Sequence, residues 1–196
     1  YTSFGRAGEV ASRREVAGSG TIHVTRQRYA VMAQPERYIH RPGSSVSIDF
    51  TAIDANDSPV RAAGTVRVIR RRWRERWIEM SGGRADRGRY DDADVLTTKL
   101  ETDEKGEATL TFTPKAPGYY TAKWTSVDAV KGATPKARDI VASETSVWVT
   151  DQATKDVGYH AGGLDVIVDR DTVPKGETAS VLIVTPASGR WVVLTT

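Results

Sequence analysis

Arginine is concentrated in one part of the chain, where it could bind a polyanion. Residues 61–90 contain ten arginines and three acidic residues, a net charge of +7, whereas the whole chain carries +3. Side chains alternate along a β-strand, so four of these arginines would point to one side: Arg70, Arg72, Arg74 and Arg76. We call residues 67–76 the Arg strip. Its charge predicts contact with nucleic acid, anionic lipid or another acidic polymer.

The same strip has a structural interpretation, which we favour. Charged side chains on a solvated strand discourage edge-to-edge aggregation, and these arginines could pair with Asp91, Asp92 and Asp94. We therefore expect no nucleic-acid partner, and we keep a polyanion-binding module as an alternative.

Aromatic residues offer a second possible binding chemistry. Trp73 and Trp77 would share one strand face and could stack on a sugar ring. Trp124 and Trp148 lie in runs of alternating apolar residues, which favours packing in a core. The segment 158–163 is rich in glycine and resembles a flexible linker, because it lacks the lysine of a phosphate-binding loop.

Residues that could catalyse a reaction or bind a metal show no recognisable arrangement. The chain has no cysteine, which excludes disulfides, thiol catalysis and a thioester within it. His23, His40 and His160 are far apart, and no nucleophile motif accompanies them. Three aspartate groups suit turns better than an EF-hand loop: Asp54/Asp57, Asp91/Asp92/Asp94 and Asp165/Asp169/Asp171. We predict no catalytic residue, no cofactor, no metal site and no enzyme activity.

The elements that would position these residues are β-strands. The chain is 39% hydrophobic and 27% charged, which is ordinary globular composition. No apolar run approaches the roughly 20 residues of a membrane span. Strict alternation predicts strands with one buried and one wet face. The residues predicted to share the buried faces are Val46, Ile48, Phe50, Ala52, Ala108, Leu110, Phe112, Tyr120, Ala122, Trp124, Thr145, Val147 and Val149.

Seven such strands are predicted, separated by turn-forming residues. They lie near residues 29–33, 46–54, 65–74, 94–101, 107–113, 119–127 and 143–150. Seven short strands in this length indicate an all-β fold, an antiparallel β-sandwich of the immunoglobulin or fibronectin III kind.

A weak internal repeat indicates a second sandwich. The turn and alternating strand at residues 40–50 recur at residues 173–183. We therefore predict four segments: the tail of a preceding domain (1–28), a complete sandwich (29–150), a linker (151–163) and the truncated start of the next domain (164–196). The chain begins without an initiator methionine or an apolar leader, so we expect the native start to lie outside it.

Several segments resemble the macroglobulin-domain region of large bacterial alpha-2-macroglobulin-like proteins. They are residues 11–20, 24–29, 38–43, 54–59, 102–112 and 117–120. Residues 147–151 resemble the closing strand of such a domain. Residues 164–196 are similar to the opening of the next domain, the one associated with the bait region.

The resemblance implies a parent protein that traps proteases with an array of such domains. In that family a protease cleaves a bait segment, and many members capture it with a thioester from a Cys-Gly-Glu-Gln motif. This chain has no cysteine, so the resemblance assigns it a scaffold role. Its partners would be neighbouring macroglobulin domains and, through the parent, proteases. The parent would be extracellular or periplasmic, and a membrane anchor is compatible with it.

One other class of function fits the same sandwich. In this alternative the chain is an immunoglobulin-like stalk or adhesin domain of a bacterial surface protein. Repeated sandwiches ending in a cell-wall anchor would favour the stalk, whereas a downstream thioester motif and bait segment would favour the protease trap.

Overall fold

The computed structural model describes residues 2–8, 15–21, 27–75, 77–80, 83–86, 88–128, 134 and 136–186. These ranges contain strands and one short 3-10 turn (Ala137–Asp139). Within them, no helix has the length and apolar character needed to cross a membrane. The strands are β1 (Thr2–Gly8), β2 (Glu15–Thr21), β3 (Tyr29–Pro35), β4 (Ile39–His40), β5 (Val46–Asp54), β6 (Ala63–Arg74), β7 (Trp77–Met80), β8 (Gly83–Asp86), β9 (Arg89–Glu101), β10 (Glu107–Phe112), β11 (Gly118–Val127), β12 (Ile140–Val149), β13 (Asp165–Val168) and β14 (Val181–Val184).

Eight of these strands form a β-sandwich, which confirms the predicted fold class. One sheet has the order β10-β5-β3, and the other has the order β4-β12-β11-β6-β9. The predicted count of seven is not confirmed, because the two-residue strand β4 is additional. The pairing within the two sheets is antiparallel as predicted except at this strand, since β4 pairs parallel with β12. The chain crosses from one sheet to the other between β3 and β4, and it then runs in the same direction as β12.

The core lies between the two sheets and follows the predicted alternation. Trp124 and Phe50 are fully buried, and their ring centroids are 5.4 Å apart. The Trp124 indole N–H donates to Ser126 Oγ at 3.0 Å, so the polar atom of this large side chain is satisfied inside the core. Ser126 Oγ also accepts a hydrogen bond from the Tyr29 hydroxyl at 2.9 Å.

A β-bulge in β9 changes which side chains face the core. The register with β6 shifts between Val68 and Ile69, which leaves Val95 as the extra residue. Leu96 and Leu100, after the bulge, pack against the core. Tyr90, which would otherwise share the face of Leu96, lies on the outer side of the sheet opposite Trp73.

Three two-stranded hairpins complete the described structure: β1–β2, β7–β8 and β13–β14. The hairpin β13–β14 lies in the segment predicted to begin a new domain. Its strands pair with each other in antiparallel register, from Asp165 opposite Val184 to Val168 opposite Val181.

Candidate functional site

The Arg strip is engaged by other groups of the protein. Arg70 is half-buried and donates to the Pro117 carbonyl at 2.6 Å. Arg72 reaches Asp156 at 3.5 Å. Arg74 reaches Asp91 at 3.1 Å. Arg76 lies outside the described residues. Polyanion contact by these residues remains a prediction.

The neighbouring arginines show the acidic pairing expected from the sequence. Arg71 contacts Asp92 at 3.1 Å, and Arg67 contacts Asp94. The hydrogen bond from Arg67 holds the pKa of Asp94 below its usual range. Because the Arg67–Asp94 pair is largely exposed to solvent, it contributes little to stability.

The aspartate groups are committed to structural contacts. Asp54 Oδ1 accepts the backbone N–H groups of Asn56 and Ser58 at 2.8 and 3.0 Å, as expected for a turn former. No group of three His, Cys, Asp or Glu residues within the described ranges could hold a metal ion.

The two described histidines also make structural contacts. His40 is buried, and its Nε2 lies 2.8 Å from the Arg37 carbonyl oxygen. The ring of His160 lies flat against Trp73, with centroids 4.2 Å apart and an interplanar angle of 12°. His23 falls outside the described residues.

Aromatic side chains cover part of the outer side of the five-stranded sheet. We call Trp73, Tyr90, Tyr119 and Trp148 the aromatic face. Trp73 contacts Tyr90 at 5.0 Å, Tyr90 contacts Tyr119 at 5.8 Å, and Tyr119 contacts Trp148 at 5.5 Å, measured between ring centroids. The prediction that Trp148 packs in the core is therefore wrong, because its side chain lies on the opposite side of β12 from the core residues Val147 and Val149. The side chain of Trp77 lies outside the described part of the chain, so a sugar-binding pair remains a prediction.

Residues 156–161, which we call the strap, pack onto this aromatic face. The backbone N–H of Trp73 donates to the Gly158 carbonyl at 2.8 Å. Trp73 lies just beyond the last residue of β6 that pairs with β11. The His160 N–H donates to the Tyr90 hydroxyl at 3.0 Å. Gly158 and Ala161 are buried. The interpretation of residues 158–163 as a flexible linker is thus corrected for residues 158–161, which are held by specific contacts.

The strap requires glycine at position 158. Gly158 has a φ of +72°, a conformation that strains any residue with a Cβ atom. A Cβ atom built there would lie 3.1 Å from the Arg71 carbonyl oxygen and 3.2 Å from Arg72 Cα. Only glycine allows the strap to approach the backbone of β6 this closely.

Tyr159 connects the strap to the hairpin β13–β14. Its ring contacts Tyr119 at 5.0 Å and meets Trp148 edge-on at 5.5 Å. Its hydroxyl donates to Asp165 Oδ2 at 2.9 Å. Burial and then the hydrogen bond to the Asp165 carboxylate raise the pKa of Tyr159 to about 12.

This raised pKa predicts that the docked strap weakens in alkali. The undocked phenol ionises near pH 10, whereas the docked phenol keeps its proton until its pKa of about 12. The contribution of Tyr159 to docking is complete below pH 10 and is lost as pH rises from 10 to 12. A spectrophotometric titration at 295 nm of wild type minus Tyr159→Phe should show one phenol that ionises late. A difference curve centred near pH 10 would contradict this.

A buried carboxylate fixes the other end of the hairpin to the sandwich. Asp169 is 4% exposed and accepts hydrogen bonds from Arg37 Nε at 2.8 Å, Arg37 Nη2 at 2.5 Å and the Ile39 N–H at 3.1 Å. Its carbonyl accepts the Tyr38 N–H at 2.8 Å. The hairpin is thus held at Asp165 and at Asp169, and Gln34 Nε2 adds a hydrogen bond to Asp171 Oδ2 at 3.0 Å. We call this arrangement of strap, aromatic face and Asp169 the junction.

Comparison with known proteins identifies the fold. No family model and no curated protein matches the sequence. The structure is similar to a Salmonella alpha-2-macroglobulin reacted with methylamine, with a TM-score of 0.50 and 15% identity. The match covers 92% of this chain and 12% of that one. The native E. coli alpha-2-macroglobulin matches with a TM-score of 0.46 and 16% identity, covering 94% and 12% of the two chains. The predicted resemblance is confirmed at the level of the fold.

Proposed function

We propose that this chain is a non-catalytic structural module of an alpha-2-macroglobulin-like protein that traps proteases. One observation carries the proposal. The match to the Salmonella protein covers 92% of the chain, and the sandwich of residues 29–150 accounts for less than two thirds of it. The likeness therefore extends beyond a common sandwich and takes in residues on either side of it.

The module acts through its neighbours in the same chain. We retain the predicted segments 1–28, 29–150, 151–163 and 164–196, with the last beginning the next domain. One face of β13–β14 supports this. Leu164, Val166, Val168 and Val181 are 57%, 52%, 44% and 42% exposed, and an apolar face of this kind packs against further strands in a complete sandwich. In this proposal the parent is extracellular or periplasmic.

The proposal is tested on the parent protein and on this chain together. A protease treated with the full-length parent should lose activity on a large protein substrate while it keeps activity on a short peptide, because a trapped protease is shielded sterically. The 196-residue chain alone should hydrolyse neither. Full protease activity on both substrates in the presence of the parent would refute the trap and favour the stalk. Hydrolysis by the chain itself, lost in a His40 or His160 variant, would refute the scaffold role.

A polyanion-binding module is the second candidate, supported by one local charge imbalance. Arg74 and Arg89 lie opposite each other in β6 and β9 and share the Asp91 carboxylate, at 3.1 and 3.6 Å. Their side chains are 62% and 84% exposed. The two guanidinium groups compete for one carboxylate, so neither is fully paired by it.

This candidate predicts weak, salt-dependent binding to heparin. The double variant Arg74→Ser/Arg89→Ser should lower heparin affinity roughly tenfold at low salt and reduce the slope against salt concentration. The variant Arg61→Ser is a matched control, because that exposed arginine is paired with Glu101 elsewhere on the sheet. Equal affinity of the double variant and wild type would remove the candidate.

A further inference from the structure

The strap packs on the aromatic face, and nearby residues before and after it in the sequence are exposed. Asp151, Gln152 and Ala153 before it are exposed, and so are Gly162 and Gly163 after it. A Cβ atom built on either of these two glycines would meet no atom within 4 Å. The chain can therefore bend at Gly162 and Gly163 without disturbing a packed neighbour.

Two buried polar groups oppose the docked state. The indole N–H groups of Trp73 and Trp148 are buried and have no hydrogen-bond acceptor among the residues that the structure describes. Most buried donors in proteins are paired, and an unpaired one costs free energy because it has lost its water. Both indoles contact the strap, Trp73 through the His160 ring and Trp148 through the Tyr159 ring. If the strap moved away, the sides of the two indole rings that His160 and Tyr159 cover would be exposed to water.

We propose that the strap is a releasable latch which sets the position of the hairpin β13–β14 against the sandwich. In the closed state the hairpin is fixed at Asp165, through Tyr159, and at Asp169, through Arg37. In the open state the Tyr159 contact is lost, and the hairpin stays attached only at its other end, where Arg37 contacts Asp169 and Gln34 contacts Asp171. Ring stacking and two backbone hydrogen bonds favour the closed state, whereas the two unpaired indole groups favour the open one. This inference stands whether or not the parent traps proteases.

Native-state hydrogen exchange on the full 196-residue chain tests the latch without any substitution. The amides of Trp73 and His160 are donors in the closed latch, whereas those of Val66 and Trp124 lie in core strands. Opening of the strap exposes little surface, so exchange at Trp73 and His160 should be faster and depend less on denaturant than exchange at the core amides. If all four amides exchange with the same rate and the same denaturant dependence, the strap opens only on global unfolding and the proposal fails.

Glycine variants give a matched comparison in the same assay. Gly158→Ala combines left-handed strain with a close approach to β6, whereas Gly43→Ala has similar strain at a φ of +82° and meets nothing within 4 Å. We expect Gly158→Ala to speed exchange at His160 at least tenfold and leave the core amides unchanged. Gly43→Ala should leave His160 unchanged. An equal effect of both variants on His160 would overturn the proposal.

A substitution that removes the indole N–H of Trp148 should have the opposite effect to Gly158→Ala on exchange at His160. Site-specific replacement of Trp148 by benzothienylalanine puts sulfur in place of the indole N–H and preserves the shape of the ring. It removes one unpaired donor from the closed state, so exchange at His160 should slow several-fold. Unchanged or faster exchange would show that the unpaired donor does not oppose closure, and it would overturn this account of the latch.

Discussion

Replacing Trp124 with alanine is expected to lower the free energy of unfolding of the sandwich by about 3–5 kcal/mol. Trp124 is fully buried and is among the largest fully buried side chains described. Its removal would leave a cavity beside Phe50 and free Ser126 Oγ from one of its two donors. In a close-packed core, neighbouring side chains cannot move far enough to fill the space left by a large aromatic side chain.

Urea denaturation followed by circular dichroism measures this loss. Met32→Ala is a suitable control, because Met32 lies on β3 with 52% of its surface exposed and should change stability by less than about 1 kcal/mol. Gly64→Ala should also destabilise the protein, since its Cβ would lie 2.4 Å from Trp124 Cε2. A loss below about 1 kcal/mol for Trp124→Ala would contradict the assignment of the core.

Replacing Asp169 with alanine is expected to release the hairpin β13–β14 while the sandwich stays folded. The substitution removes the acceptor for three hydrogen bonds and leaves Arg37 without its buried partner. Hydrogen bonds to charged groups contribute about 1.5–3 kcal/mol each at most. Because the Arg37 side chain is 41% exposed and can be rehydrated, we expect a net loss of roughly 2 kcal/mol in local stability.

The loss should be local to the hairpin. Amides of β13 and β14 should exchange roughly 30-fold faster in the Asp169→Ala variant, a factor that corresponds to 2 kcal/mol, and the urea midpoint of the sandwich should barely move. The matched control is Asp171→Ala, because Asp171 is exposed and accepts one hydrogen bond, from Gln34 Nε2 at 3.0 Å. If both variants release the hairpin equally, Asp169 is not the anchor.

The core strands were predictable from the sequence because their alternation is local. Val46, Ile48 and Phe50 share a face in any extended chain, and the structure buries all three. Turn residues such as Asp54 were predictable for the same reason, since their hydrogen bonds reach only two to four residues along the chain.

The aromatic face and the strap were missed, although the sequence carried a signal. Ile69, Trp73, Tyr119 and Trp148 fall on the side of their strands that alternation assigns to solvent. Large apolar residues on both faces of a strand indicate that both faces are covered. The signal was weak because the β-bulge at Val95 moves Tyr90 to the outer face, and the position of a bulge depends on pairing with β6.

The sequence by itself determined the fold class, the main core residues and the absence of thiol chemistry, because alternation, turns and residue types are properties of short segments. Only the tertiary structure decided which carboxylate pairs with each arginine, the docking of the strap and the role of Asp169. Arg72 pairs with Asp156, and Arg37 with Asp169, across 84 and 132 positions of the chain. Such contacts arise when the sheets bring distant segments together, and no local pattern encodes them.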